Sequence, residues 1–151
     1  MNSKIPYGIF GGSFDPPHLG HLEIIRHMIE ICEKVFIQIN IDMVNKQKGN
    51  SSPYFKRCNW IIQSLRDLNI VGNVEIIHLD LEMGLSGYSL HFLEAFVQKY
   101  QVRPHFFLGS DQVELMNEWM GFPEHFKYAK FTYFNRDGKQ VNWHNGIIEY
   151  K

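Results

Sequence analysis

At 151 residues the chain has the length of one domain and enough material to bury a sizeable core. Hydrophobic residues make up 44% and charged residues 21%, the balance of a folded globule rather than a disordered chain. Lys and Arg number 15 against 16 Asp and Glu, a net charge of −1. There is no basic excess for nucleic acid or an anionic membrane, so any anion site must be local.

The first residues, MNSKIPYG, hold a single Lys and no apolar leader core, and no apolar run approaches membrane-spanning length. A cytoplasmic protein with no membrane partner is the expectation. Cys32 and Cys58 stand far apart in apolar helical contexts and outside any C-x-x-C pattern, so they read as buried free thiols in a reducing compartment.

Short apolar runs alternate with segments of helical period. Residues 5–10 (IPYGIF) read as a first strand, and Leu22, Ile25, Met28, Ile29 and Cys32 then share one face of a helix. A second strand is expected at 35–41 (VFIQINI), followed by the polar loop 42–52 (DMVNKQKGNSS), a candidate mobile segment. Ser52-Pro53 suits the N-cap and first turn of a helix whose apolar face is Phe55, Trp60, Ile61, Leu65 and Leu68. Strands at 74–79 and 105–109 bracket a helix marked by Leu90, Leu93, Phe96 and Val97. A short helix from Asp111 to Trp119 and a last strand at 129–134 complete the pattern, and residues 138–151 form an edge hairpin or a loose tail. This β-α alternation over 1–151 predicts one α/β domain, with a mostly parallel sheet and helices on both faces.

In such a sheet, ligands bind beyond the carboxyl ends of strands where strand order reverses. Two strands end alike, in GGSFDPPH and in LGSDQ, each with glycine, a hydroxyl and a carboxylate. Gly11 and Gly12 let backbone approach a ligand, and Ser13 and Phe14 can then aim amides at an anion. Pro16 and Pro17 delay the helix until about His18, where its positive end favours negative charge. His18 and His21, three apart, project from one face of the first turn. Singly, a GG is a turn and H-x-x-H a surface pair; together, between a strand and a helix, they suit a phosphate chain. Gly109 and Asp111 face the same crevice if the two strands are neighbours.

These residues carry a resemblance. GGSFDPPHLGH, with Gly20 between Leu19 and His21, resembles the G-G-[ST]-F-D-P-x-H-x-G-H signature of the nucleotidyltransferase superfamily. FFLGSDQVELMNEW, LSGYSLHFL and FNRDG resemble segments of its nicotinate-nucleotide adenylyltransferases. The resemblance implies a five-stranded Rossmann-like sheet of order 3-2-1-4-5 and transfer of AMP from ATP to nicotinate mononucleotide with release of pyrophosphate. It implies that His18 and His21 hold the triphosphate, that Lys46 or Lys48 closes over it, and that Asp111 accepts from a ribose hydroxyl. Mg²⁺ would be held mainly by phosphates, with no metal ligands from the protein. Trp119 would stack on the pyridine ring, the Tyr88 and Ser89 amides would meet its carboxylate, and Arg136 would take the mononucleotide phosphate. The partners expected are therefore ATP and a mononucleotide, with self-association left open. Another phosphorylated acceptor, or a nucleotide-binding module of weak turnover, remain alternatives. This sequence departs from the family pattern at Gly87, Ser89 and Phe92, and its 151 residues contain no I-S-S-T-x-I-R segment, which implies a weaker grip on ATP.

Overall fold

The structure, a computed structural model, describes residues 3–41, 52–134 and 147–150. In chain order these form β1 (Ile5–Gly12), α1 (Leu19–Ile31), β2 (Cys32–Ile39), α2 (Tyr54–Asp67), β3 (Val74–Ile76), α3 (Leu79–Glu82) and α4 (Ser89–Tyr100). β4 (His105–Gly109), α5 (Ser110–Val113), β5 (Lys130–Phe134) and β6 (Ile147–Tyr150) follow, with 3-10 turns at Met116–Glu118 and Glu124–Lys127.

The sheet order is β3-β2-β1-β4-β5-β6. The expected order of the first five strands is therefore present, and a sixth strand extends the edge. β6 pairs in parallel with β5, Phe131 opposite Ile147 and Phe134 opposite Tyr150. The first half of the expected edge hairpin, residues 138–146, lies outside the described residues.

The central strands are mostly apolar because helices cover both faces, with Glu33, Lys34 and Gln38 as the polar residues of β2. Adjacent residues go to opposite sides. Ile9, Phe36, Phe106 and Phe131 pack with α4 and the 3-10 turns, whereas Phe10, Val35, Ile37 and Phe107 pack with α1 and α2. α1 buries Leu22, Ile24, Ile25 and Met28 on one face, a spacing close to the one read from the sequence.

Several boundaries differ. Cys32 opens β2 instead of closing α1: it is the C-cap, with extended φ −114 and ψ 144. Both cysteines are buried free thiols, and burial pushes the Cys32 thiol up to about 12. Pro53, not Ser52, is the N-cap of α2. The buried face of that helix is Arg57, Cys58 and Ile61, while Phe55 is 63% exposed and Leu68 39%. β3 ends at Ile76, because the chain turns at His78 into α3. Among the described residues no helix is long and apolar enough to cross a membrane.

Candidate active site

β1 pairs with β2 on one side and β4 on the other, so the strand order reverses between β1 and β4. A crevice of about 710 Å³ opens there, large enough for a nucleotide-sized ligand. Gly11, Gly12, Ser13, Phe14, His18 and His21 line one end, with Gly109 at the close of β4. Gly87, Tyr88, Ser89, Trp119 and His125 line the other. Gly20 lies in the first turn of α1 and is not among the lining residues.

The turn after β1 is pinned from inside. A Cβ at Gly11 would meet Phe106 at 2.7 Å and Gln38 Oε1 at 2.8 Å, so only glycine fits the crevice floor. Phe14 adopts φ 51, a left-handed conformation that costs a bulky residue about 1–3 kcal/mol. Its ring offsets this by burying to 1% exposure, edge-on to Phe10 at 5.3 Å and to His21 at 4.7 Å.

The turn's carbonyls face inward. Gly12 O accepts from Asn40 N at 2.8 Å, and Ser13 O accepts from Arg57 Nη1 at 3.0 Å. In a trans peptide the N–H points opposite its carbonyl. The amides of Ser13 and Phe14 are thereby turned away from Asn40 and Arg57.

Arg57 is the residue whose structural weight the sequence hid. It is 1% exposed and donates from Nε to Ser52 O at 2.9 Å and from Nη1 to Ser13 O and to Asn40 O at 2.8 Å. One guanidinium thus ties the glycine-rich turn to both flanks of segment 42–51. Asp15 Oδ2 accepts from Ser52 N at 2.9 Å, and that bond holds the Asp15 carboxyl below its usual range, with Arg57 and Lys56 adding to the effect.

His18 is the N-cap of α1, and its backbone N–H donates to His21 Nδ1 at 3.1 Å. With Nδ1 accepting, the His21 ring carries its proton on Nε2. The two imidazoles stack at 3.6 Å with 20° between planes. Sequence spacing foresaw the shared face. It did not foresee that His21 also caps the helix.

The other end is assembled from three segments. Tyr88 is the N-cap of α4, and Ser89 is its first residue. The Tyr88 amide already donates to Ser86 Oγ at 3.2 Å, which corrects its reading as an open donor. Gly87 has φ 93, where a side chain is strained, so glycine here answers a backbone need. Trp119 is half-buried, edge-on to His125 at 5.4 Å and to Phe131 at 6.4 Å. It belongs partly to the core and partly to the crevice. On the floor, Gln38 is 5% exposed and donates from Nε2 to Asp80 Oδ2 at 2.9 Å. Asp80 Oδ1 has no partner, and burial pushes the carboxyl up.

Lys46, Lys48 and Arg136 lie outside the described residues, as does the side chain of Asp111, whose backbone runs in α5.

The cytidylyltransferase-like family model matches residues 9–149. The chain belongs to the cytidylyltransferase-like family. It is 30% identical over 139 residues to a probable nicotinate-nucleotide adenylyltransferase of Pseudothermotoga lettingae, covering 90% of this chain and 68% of that one. A Leptospira interrogans protein of the same description is 31% identical over 161 residues, covering 100% of this chain and 78% of its own. The fold is shared with a Plasmodium falciparum nicotinic acid mononucleotide adenylyltransferase complexed with APC, at a TM-score of 0.79 and 14% identity. That match covers 97% of this chain and 74% of the other. Across the first such relatives this family member spans between 59% and 68% of their length.

Proposed function

We propose that the chain is an adenylyltransferase that moves AMP from ATP to nicotinate mononucleotide and releases pyrophosphate. The observation that carries this reading is a single crevice with an anion-binding end and an aromatic end, set at the strand-order switch point. The names of the relatives support the same substrates.

The mononucleotide phosphate oxygen attacks the α-phosphorus in line, and the bond to pyrophosphate breaks. No protein nucleophile is required, so the chain's part is positioning and charge stabilisation. The Ser13 and Phe14 amides and the start of α1 bind phosphate oxygens. His18 and His21 sit where negative charge grows, at the turn that opens α1. Trp119 takes the face of the pyridine ring, and the positive end of α4 at Ser89 favours its carboxylate. Lys46, Lys48 and Asp111 are assigned to ATP, and Arg136 to the acceptor phosphate, by family resemblance. The anion end offers amides, imidazoles and the single carboxylate of Asp15, whose Oδ2 already accepts from Ser52 N. That set fits Mg²⁺ carried in on the triphosphate, where it neutralises phosphate charge.

Pyrophosphate release with ATP and each acceptor tests the reading. Turnover with nicotinate mononucleotide supports it. Turnover only with another phosphorylated acceptor moves the chain elsewhere in the family, and ATP binding with no turnover makes it a nucleotide-binding module.

A further inference from the structure

His125 is a buried polar side chain with both ring nitrogens unaccounted for among the described residues. It is 0% exposed in the turn Glu124–Lys127, and among the described residues neither Nδ1 nor Nε2 has a hydrogen-bond partner. Its surroundings are aromatic, with Trp119 at 5.4 Å and Phe122 at 6.5 Å. Burial pushes its pKa down, so at neutral pH the ring is uncharged and offers one N–H and one lone pair. A buried donor left unmade is costly, and an apolar side chain would avoid that cost. Yet His125 also borders the crevice, at the end where Trp119 and the start of α4 meet.

The loop that carries it is held against that helix. Gly121, between Trp119 and His125, has φ 84, and a Cβ there would meet Leu90 of α4 at 2.4 Å. The unpaired imidazole and the first-turn amides of the 12-residue α4 therefore border the same end of the crevice. Both favour negative charge.

We infer that His125 is a substrate-binding residue: its imidazole N–H donates to the carboxylate on the acceptor's ring while Trp119 packs on the ring face. The inference rests on the adenylyltransferase reading and adds a residue that confers specificity for the carboxylate. Trp119 screens the imidazole in the free chain, so the ring of Trp119 shifts as the acceptor enters.

The test compares wild type with His125→Leu, which keeps an apolar shape and removes the N–H. KM for nicotinate mononucleotide should rise about ten- to a hundredfold, the scale of a lost hydrogen bond to a charged group. KM for ATP and for nicotinamide mononucleotide should stay near wild type, and the melting temperature should not fall. In the wild type, the imidazole ¹⁵N resonances of His125 should move on adding nicotinate mononucleotide alone and hold still with ATP alone, a readout that does not depend on how the variant folds. An unchanged KM with unmoved resonances overturns the inference while leaving the adenylyltransferase reading in place. Equal losses for both mononucleotides overturn the carboxylate contact. A wild type that neither binds nor turns over nicotinate mononucleotide overturns both.

Discussion

At the His18 end of the crevice, Arg57 donates to the carbonyls of Ser13, Asn40 and Ser52, Phe14 is locked by its own burial, and His21 caps the helix that carries it. At the Trp119 end, a fully buried imidazole has no partner at either nitrogen among the described residues, and Trp119 is only half-buried. The first end is braced before any ligand arrives, and it combines backbone amides with the His18 and His21 imidazoles. The second keeps polar capacity in reserve. This is the arrangement expected where one site must hold a phosphate chain common to many reactions and the other must choose an acceptor.

The largest effect should come from breaking the braced end. Arg57→Met keeps much of the volume and strips the donors from three carbonyls. At roughly 1–2 kcal/mol for each of the three acceptors left unmade, the loss is about 3–6 kcal/mol. Chemical denaturation should show it, and ATP binding should fall as the turn loosens. Full stability in the variant would mean that water replaces the guanidinium and that the turn is held by Phe14 alone.

Next come the histidines, where rate and stability separate. Either alanine variant should lower kcat by about 10²–10³, roughly 2.7–4 kcal/mol for a lost charge-stabilising donor. Only His21→Ala also loses the bond from the His18 amide, which adds about 1 kcal/mol of destabilisation. Equal stability for both variants would dismiss the capping role. Equal rates to wild type would leave the pair structural.

The asymmetry between the ends also explains what the sequence revealed. The anion end is local, built from consecutive residues whose types state their geometry, so Gly11 to His21 could be read directly. The strands were legible because burial on both faces leaves continuous apolar runs. Arg57 was hidden because its partners are backbone carbonyls 5, 17 and 44 residues away. Gln38 and Asp80, 42 apart, pair only because β2 and α3 meet beneath the crevice. His125 was not singled out, since nothing local announces that Trp119 and Phe122 pack against it. The sixth strand was half-visible: its alternation was clear, but its parallel partner was a matter of topology.

A smaller effect should appear on the acceptor side. Trp119→Ala removes a ring face, worth roughly 1–3 kcal/mol if it stacks on an aromatic ligand. Because Trp119 also packs on His125 and Phe131, stability should fall as well. The discriminating measurement is the ratio of losses: mononucleotide affinity should drop while ATP affinity holds. Parallel loss of both would reduce Trp119 to a core residue.

The finest contrast is between two carboxylates near the crevice, which should respond to pH in opposite directions. Asp15 is held below its ordinary value of 3.8, chiefly by the Ser52 amide. Its contribution is present above 3.8 and disappears as pH falls from there through the lower folded value, because the folded state then has to take up a proton the unfolded chain already holds. Asp80 is pushed above 3.8 by burial, only partly relieved by Gln38. The folded state binds its proton more readily, so Asp80 costs stability as pH rises from 3.8 through its raised folded value. Asp80→Asn keeps an acceptor oxygen for the Gln38 amide and removes the buried charge. It should therefore be more stable than wild type at pH 7, with the advantage shrinking as the pH is lowered toward 4. Asp15→Asn should be slightly less stable at pH 7 and converge with wild type below the carboxylate range. Urea titrations at a series of pH values decide both. If the Asp80→Asn curve runs parallel to wild type, the Asp80 carboxyl is reached by water in solution and the floor beneath Gln38 is wetter than its burial implies.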